Sequence, residues 1–240
     1  MALETPLLSI EGVTKAFGGL VAINDLSMLI REGEAVGLMG PNGAGKTTVI
    51  NIICGQYKPD WGMIKFRDND ISGFPPHRIC HLGISRTYQI PQPFANMSAL
   101  QNVAVAAMYG RGIGKSAART EADKIIDFVG LSEKRDVPAR DLMAVTLKRL
   151  ELARALATRP KLLLIDEVGA GLTEAEIPNL LKILEQVRSM GITYILIEHV
   201  LKVMMEAVDR ITVIEYGTKI AEGTPAEVME DKNVITAYFG

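Results

Sequence analysis

Gly40-Pro41-Asn42-Gly43-Ala44-Gly45-Lys46-Thr47-Thr48 lies between a compact apolar run, Ala35–Met39, and a second apolar stretch, Val49–Cys54. Its first eight residues fit G-x-x-x-x-G-K-[ST] at every fixed position, and the flanks read as a strand before and a helix after. The glycines let the loop curl so that backbone N–H groups point inward at phosphate oxygens, and the helix N-terminus adds a partial positive charge. Lys46 can reach the β- and γ-phosphates of a nucleotide, and the Thr47 hydroxyl can ligate Mg²⁺. A chance glycine-rich turn is the bland alternative, and it does not explain why both flanks fit.

On the N-terminal side, residues 7–34 read as short strands and turns: Leu7–Glu11, Gly18–Gly19, Leu26–Ile30 and Glu32–Gly33. On the C-terminal side, Met63–Phe66 reads as a strand with a turn at Asp68, Asn69 and Asp70, and Ile84–Tyr88 as another short strand. Composition changes after Gln89. Residues 98–130 are Ala-rich with helical period, broken at Gly110–Gly114. Strand signals return as continuous apolar runs at Lys161–Glu167 and Thr193–His199, the pattern of strands buried on both faces of a parallel sheet. Thr173 with Glu176 has capping-box spacing and predicts a helix running through Val187. Thr224, Pro225 and Glu227 open the last helix, with proline at its first position.

Bulk numbers bound the rest. The chain has 240 residues, enough for one α/β domain with an inserted subdomain. Lys and Arg total 26 against 28 Asp and Glu, a net charge of −2, which gives no basic footprint for nucleic acid or anionic lipid. Mean hydropathy is slightly positive, +0.18. No apolar run approaches the roughly 18 to 20 residues that span a bilayer, so the excess apolar surface is either core or buried against partner proteins. Met1–Leu8 carries Glu4 and lacks the features of a secretory signal. Cys54 and Cys80 are far apart, which fits a reducing cytosol. His77, Cys80 and His81 sit beside Pro75-Pro76 with no second ligand cluster, and read as a solvated helix face rather than a metal site.

Carboxylates supply the next chemistry. Asp166-Glu167 ends an apolar strand, where one carboxylate can hold Mg²⁺ and the other can accept a proton from an attacking water, an effect worth roughly 10² to 10⁴ in rate. His199 ends another. Gly40, Gln89, Asp166, Glu167 and His199 all follow strand-like runs, and in open α/β sheets ligands gather at the carboxyl ends of strands. His199 would touch the γ-phosphate and help place the water, and Gln89 would reach the metal or the water.

These residues resemble the ATP-binding subunits of ABC transporters, over nearly the whole chain. Gly40–Thr48 looks like Walker A and Leu162–Glu167 like Walker B plus the catalytic glutamate. Gln89 looks like the Q-loop, His199 like the switch histidine, and Gly169–Thr173 falls where the D-loop lies. The resemblance implies ATP with Mg²⁺ held by Thr47, Asp166 and Gln89. It also implies a P-loop NTPase fold of the ABC-ATPase kind, a mixed-sheet core with an inserted α-helical subdomain. The core would comprise residues 1–90 and 151–240 and the helical subdomain residues 91–150. Phe17 falls where the family sets an aromatic ring against adenine; by itself it is equally a core phenylalanine.

Phe17-Gly18-Gly19-Leu20, Arg86-Thr87-Tyr88-Gln89, Lys148–Leu156, and Gly223-Thr224-Pro225 near an Ala237-Tyr238-Phe239 end are similar to one branch, the branched-chain amino acid importers, whose relatives also carry urea or amides. That branch implies membrane-spanning permease subunits, a periplasmic or extracellular solute-binding protein acting indirectly, and a location on the cytoplasmic face of a bacterial or archaeal inner membrane. Pro91, Pro93, Phe94 and Met97 would either seat a helix of the membrane subunit or be core under a loop.

The sequence departs from the family pattern at the signature. Leu142-Met143-Ala144-Val145-Thr146 stands where the family reads Leu-Ser-Gly-Gly-Gln, Thr173 replaces the D-loop aspartate, and Val168 stands where proline often follows the glutamate. In ABC dimers each site joins one chain's P-loop to the other chain's signature, so the defect falls in the partner's site. The expectation is a heterodimer with a second, related ATPase subunit. The alternatives are an ATP-binding regulatory chain with little turnover, and an ABC ATPase acting on ribosomes or DNA, for which the usual second cassette or basic insertion is lacking.

Overall fold

Ala35–Met39 forms β3, the middle of a six-stranded sheet. The computed structural model describes residues 6–239, with the side chain of Phe239 also outside the described set; the expectation for the amino-terminal stretch therefore falls outside it for residues 1–5. Across this sheet the strands run β10 (Thr218–Gly223), β9 (Arg210–Glu215), β3, β8 (Thr193–Ile197), β7 (Leu162–Asp166) and β6 (Ile84–Arg86). All neighbours are parallel except β10 on β9.

The continuous apolar runs are explained by burial on both faces. Along β7 and β8, Leu163, Ile165 and Leu196 join a core shared with the helices, while Leu162, Leu164, Ile195 and Ile197 join a second core on the opposite face. Each fully buried aliphatic contributes about 1.5 to 3 kcal/mol. Truncating Leu164, with helix and sheet packed rigidly around it, costs about 2 to 5 kcal/mol.

The second core is closed by a four-stranded antiparallel sheet of order β2 (Leu20–Ile30), β1 (Leu8–Phe17), β4 (Trp61–Phe66) and β5 (Asn69–Asp70), and by α1 (Lys46–Ile53). β1 and β2 are longer than the short strands expected. β2 alternates from Leu26 to Ile30, with Leu26, Met28 and Ile30 buried and Leu29 exposed, as a sheet with one wet face should, and the irregularity at Asp25, φ 49°, lets Ile23 be buried as well. The turn expected at Asp68–Asp70 sits one residue earlier. Arg67 and Asp68 take positive φ, a two-residue hairpin turn, and Asn69 and Asp70 pair back on Phe66 and Lys65.

Between the sheet strands, α3 (Ala99–Arg111), α4 (Lys115–Phe128) and α5 (Ala144–Ala157) form the helical layer. Ser98 and Gln101 make a full capping box at the start of α3, and Gly112, at φ 65°, ends it. Thr224 and Glu227 make the expected box before α8 (Pro225–Glu230). The box expected at Thr173 forms only in part. The Glu176 carboxylate accepts from the Thr173 N–H and hydroxyl, but the Thr173 hydroxyl does not cap Glu176, and α6 runs from Ile177 to Ser189.

His77, Cys80 and His81 lie on the short α2 (Pro76–Leu82), and both cysteines are free. Among the described residues no group of three or more His, Cys, Asp or Glu could hold a metal by itself, and no helix is long and apolar enough to cross a membrane.

Candidate functional site

β3, β8, β7 and β6 are consecutive and parallel, so their carboxyl ends form one row. From β3 the chain enters the loop Gly40–Gly45 and then α1. Gly40 has φ 150°, and a Cβ there would lie 2.1 Å from the Ile214 carbonyl oxygen; Gly45 has φ 105° and would meet the Ala22 carbonyl oxygen at 2.6 Å. Both positions therefore exclude other residues, and the loop keeps its curl. Lys46 Nζ donates to the carbonyls of Gly40 at 2.6 Å and Pro41 at 3.0 Å, folding the side chain back over the loop. Burial lowers its pKa, while the charges of Glu167 and Asp166 oppose that shift.

β7 ends at Asp166, which is 1% exposed. Its N–H donates to the Thr87 hydroxyl at 2.9 Å, but neither carboxylate oxygen has a hydrogen-bond partner. The Arg86 guanidinium stands at 3.6 Å. Burial pushes the Asp166 pKa up, and Arg86 only partly opposes it. A buried carboxylate with both oxygens free is costly unless a cation meets it. Thr47 is exposed on the cleft that the next residue, Glu167, also lines, and so few oxygens suit Mg²⁺, which is bound by one or two protein oxygens plus phosphate and water.

Glu167 follows, and its carboxylate gathers the two remaining strand ends. Gln89 Nε2 donates to Oε2 at 2.9 Å, and His199 Nε2 stands 2.9 Å from Oε1. Gln89, Glu167 and His199 line the same cleft as Asn42–Thr48, a space of about 410 Å³. Phe17 lines it too and is 41% exposed, so it is not a core residue. Its ring is edge-on to Tyr57 at 5.0 Å, with Lys15 Nζ 5.4 Å from its centroid. Every expected site residue thus lies in or beside one cleft.

Four residues that carried no role in the sequence reading also reach this region. Arg86 donates to Asn51 at 2.5 Å and stacks over Tyr88. Tyr216 lines the cleft, as Phe17 does, and is 83% exposed. The Tyr238 hydroxyl accepts from the Gly40 N–H at 2.8 Å, across 198 residues. Lys148 donates to the Glu167 carbonyl at 2.6 Å. Lys148, Arg86 and Tyr238 lie in motif stretches, but long-range contacts leave no periodic trace in a sequence.

The altered signature lies apart from these contacts. Met143 is the N-cap of α5, with no side-chain cap, and is 75% exposed. Near the junction, Ile90 and Phe94 are 75% and 47% exposed. Phe94 therefore stands on the surface and not under a loop.

Residues 23–170 match the family described as ABC transporter, and residues 218–240 match the branched-chain amino acid ATP-binding cassette transporter family. Among curated relatives, the high-affinity branched-chain amino acid transport ATP-binding protein LivG of Salmonella typhimurium is 37% identical over 99% of both chains. BraF of Pseudomonas aeruginosa is 36% identical, again over 99% of both. Among solved structures, a nucleotide-free ATP-binding cassette from an ABC transporter superposes with a TM-score of 0.87 at 31% identity, covering 98% of this chain and all of that one. With the row of strand ends and the Gly40–Thr48 loop, these likenesses establish that the chain belongs to the ABC transporter family, as an ATP-binding subunit that hydrolyses ATP.

Proposed function

We propose that the chain drives import of branched-chain amino acids or related small polar or amide solutes, through separate membrane-spanning permease subunits fed by a solute-binding protein outside the cell. Support for the solute comes from the names of its relatives and from the matching C-terminal segment. Ile90 and Phe94, apolar and exposed beside Gln89, suit contact with a membrane subunit at the cytoplasmic face.

The roles in hydrolysis follow from the cleft. Backbone N–H groups of Asn42, Gly43 and Gly45, with Gly40, Pro41 and Ala44 shaping the curl, hold the phosphates. Lys46, lightly held by two carbonyls, swings to the β- and γ-phosphates, and Thr48 supports the loop from the first turn of α1. Asp166, Thr47 and Gln89 would hold Mg²⁺, which would supply positive charge beside the phosphates. Glu167 takes the proton of the attacking water, once nucleotide draws Gln89 and His199 from its carboxylate to the γ-phosphate and the water. Phe17 faces the adenine.

The single observation that carries this reading is the shared Glu167 carboxylate, 2.9 Å from both Gln89 and His199. The catalytic apparatus is assembled within one chain. The phosphate-gripping turn is not, because Met143 and Val145 replace the serine and the second glycine of the family signature. The reading is therefore a heterodimer with a related ATPase subunit whose signature faces this chain's P-loop. Residues 91–150 would act as the helical subdomain and residues 1–90 and 151–240 as the core, with α5 running through the boundary and joining the two.

The test is Mg-dependent ATP hydrolysis by the chain alone and mixed with the related ATPase subunit encoded nearby. Negligible turnover alone with a large rise on mixing supports the heterodimer. Full turnover alone makes Leu142–Thr146 a working signature and the homodimer the better description. The exposed Met143 also favours a second reading, a regulatory chain with little turnover, which requires the mixed assembly to hydrolyse ATP equally well with Glu167→Gln.

A further inference from the structure

Glu167 has φ 51°, in the left-handed region. For a residue with a Cβ this conformation costs about 1 to 3 kcal/mol and persists only where the surroundings over-determine it. Three contacts do so. The Glu167 N–H donates to the Ile197 carbonyl at 2.9 Å. The Glu167 carbonyl accepts from Lys148 Nζ at 2.6 Å. Two residues on, the Gly169 N–H donates to Glu198 Oε1 at 2.5 Å. A side chain at 169 would set its Cβ 3.1 Å from that oxygen, so glycine is what lets the carboxylate come so close.

Glu198 is 6% exposed, and its Oε2 has no partner. Burial pushes its pKa up, while the Gly169 N–H and the Lys148 charge pull it down. Lys148 comes from the second turn of α5, the helix whose first turn carries the altered signature. A lysine and a buried glutamate that serve neither phosphate nor metal thus hold the two ends of the Glu167–Gly169 turn that aims the catalytic carboxylate.

We propose that Lys148 and Glu198 are positioning residues for ATP hydrolysis, holding the left-handed Glu167 peptide so that its carboxylate meets Gln89, His199 and the cleft. Lys148 also ties that peptide to the start of α5. A helix moves as a rigid rod over one turn, so displacement of Met143–Thr146 shifts Lys148 and the Glu167 carbonyl together. A subunit seated on this turn therefore acts on the base of this chain's own site. This second step rests on the dimer reading above; the first does not.

The experiment compares Lys148→Met, Lys148→Arg, Glu198→Leu and Glu198→Gln in the full chain, alone and mixed with the related ATPase subunit. It records kcat, KM, nucleotide Kd and Tm on the same samples. Misplacing a base by a fraction of an ångström to 1 Å lowers kcat by roughly 10- to 100-fold. That fall is expected in Lys148→Met and Glu198→Leu, with Kd and KM within about twofold of wild type. Lys148→Arg recovers most of the loss, and Glu198→Gln, which keeps an acceptor for the Gly169 N–H, recovers more than Glu198→Leu. A kcat unchanged in Lys148→Met overturns the proposal, as does a parallel loss of Tm, affinity and kcat that neither conservative variant relieves. Wild-type turnover that is identical alone and mixed removes the dimer-dependent step and leaves the positioning result to stand or fall by itself.

Discussion

The strand-end row and the first turn of α5 are built in opposite ways. Along the row, nearly every functional group is held by the chain itself: Glu167 by Gln89 and His199, Lys46 by two carbonyls, Gly40 by Tyr238. At α5 the N-terminal turn has no side-chain cap, and its Met143 is open to solvent. In the proposed heterodimer, a self-held row brings its base and loop ready formed and takes only the phosphate clamp from the partner. The turn at α5 has Met143 and Val145 where the family signature has a serine and a glycine. The difference teaches that one chain can hold its strand-end groups in place while leaving another turn uncapped and exposed.

The largest effect comes from breaking the self-held half. Glu167→Gln is expected to keep ATP binding and lower turnover by roughly 10²- to 10⁴-fold, read by phosphate release beside a fluorescent-nucleotide titration. Lys46→Ala is expected to lose binding itself. If Glu167→Gln hydrolyses at the wild-type rate, the row is a binding site and the contrast with α5 loses its chemical meaning.

The next effect sharpens the other half. Writing Leu-Ser-Gly-Gly-Gln into Leu142–Thr146 is expected to raise turnover of the chain alone by roughly tenfold or more, one missing phosphate clamp being worth about 10² or more in kcat. Each glycine placed in the first turn costs about 0.5 to 1 kcal/mol of helix stability, so Tm falls while activity rises. An unchanged rate would mean that Met143 and Val145 are not what limits the isolated chain.

The two halves also differed in how far the sequence disclosed them. The row was legible because three signals coincide there: the fixed loop pattern at Gly40–Thr47, the uninterrupted apolar runs of β7 and β8, and charged residues at the ends of those runs. Burial on both faces leaves no alternation, and that absence marked the parallel sheet. Other features depend on contacts between distant parts of the chain. Arg67 and Asp68 make the hairpin turn because both adopt positive φ, which their identities do not announce. The helix expected from Thr173 begins at Ile177: the Glu176 carboxylate returns to Thr173, but the Thr173 hydroxyl does not take the Glu176 N–H, as Thr224 takes that of Glu227. Lys148 and Tyr238 lie 19 and 198 residues from their partners, and no local pattern reports such pairs.

A smaller effect tests the unpartnered carboxylate of Asp166. Burial raises the Asp166 pKa, so the folded chain holds that proton to a higher pH than the unfolded chain does. Its contribution to the stability of the nucleotide-free chain is fully present at acid pH and is lost as pH rises through the raised value. Mg²⁺ requires the ionised form and competes with the proton. The rise in Tm produced by Mg-ATP over ATP with chelator is therefore expected to shrink as pH falls toward the carboxylate range. In Asp166→Asn that increment should be small and independent of pH, as followed by thermal shift. A pH-independent increment in wild type would remove Asp166 from the cation site.

The smallest effect asks how far the self-held half extends. Tyr238 lies on α9 (Lys232–Phe239), within the segment shared with branched-chain amino acid relatives, and its hydroxyl takes the N–H of the first loop glycine. Gly40 has no room to adjust, because the Ile214 backbone stands where a Cβ would go. Tyr238→Phe removes one oxygen and keeps the ring. The net value of such a hydrogen bond is about 1 kcal/mol, roughly fivefold in an equilibrium constant. Since the bond orders the loop and touches no reacting atom, the loss should fall on nucleotide Kd, with kcat unchanged, in paired titration and turnover measurements. A fivefold weaker Kd would carry the self-held region to the C-terminal helix and make that helix part of the binding loop's support. Equal affinity would confine the region to Gly40–Thr48 and leave Tyr238 as packing alone.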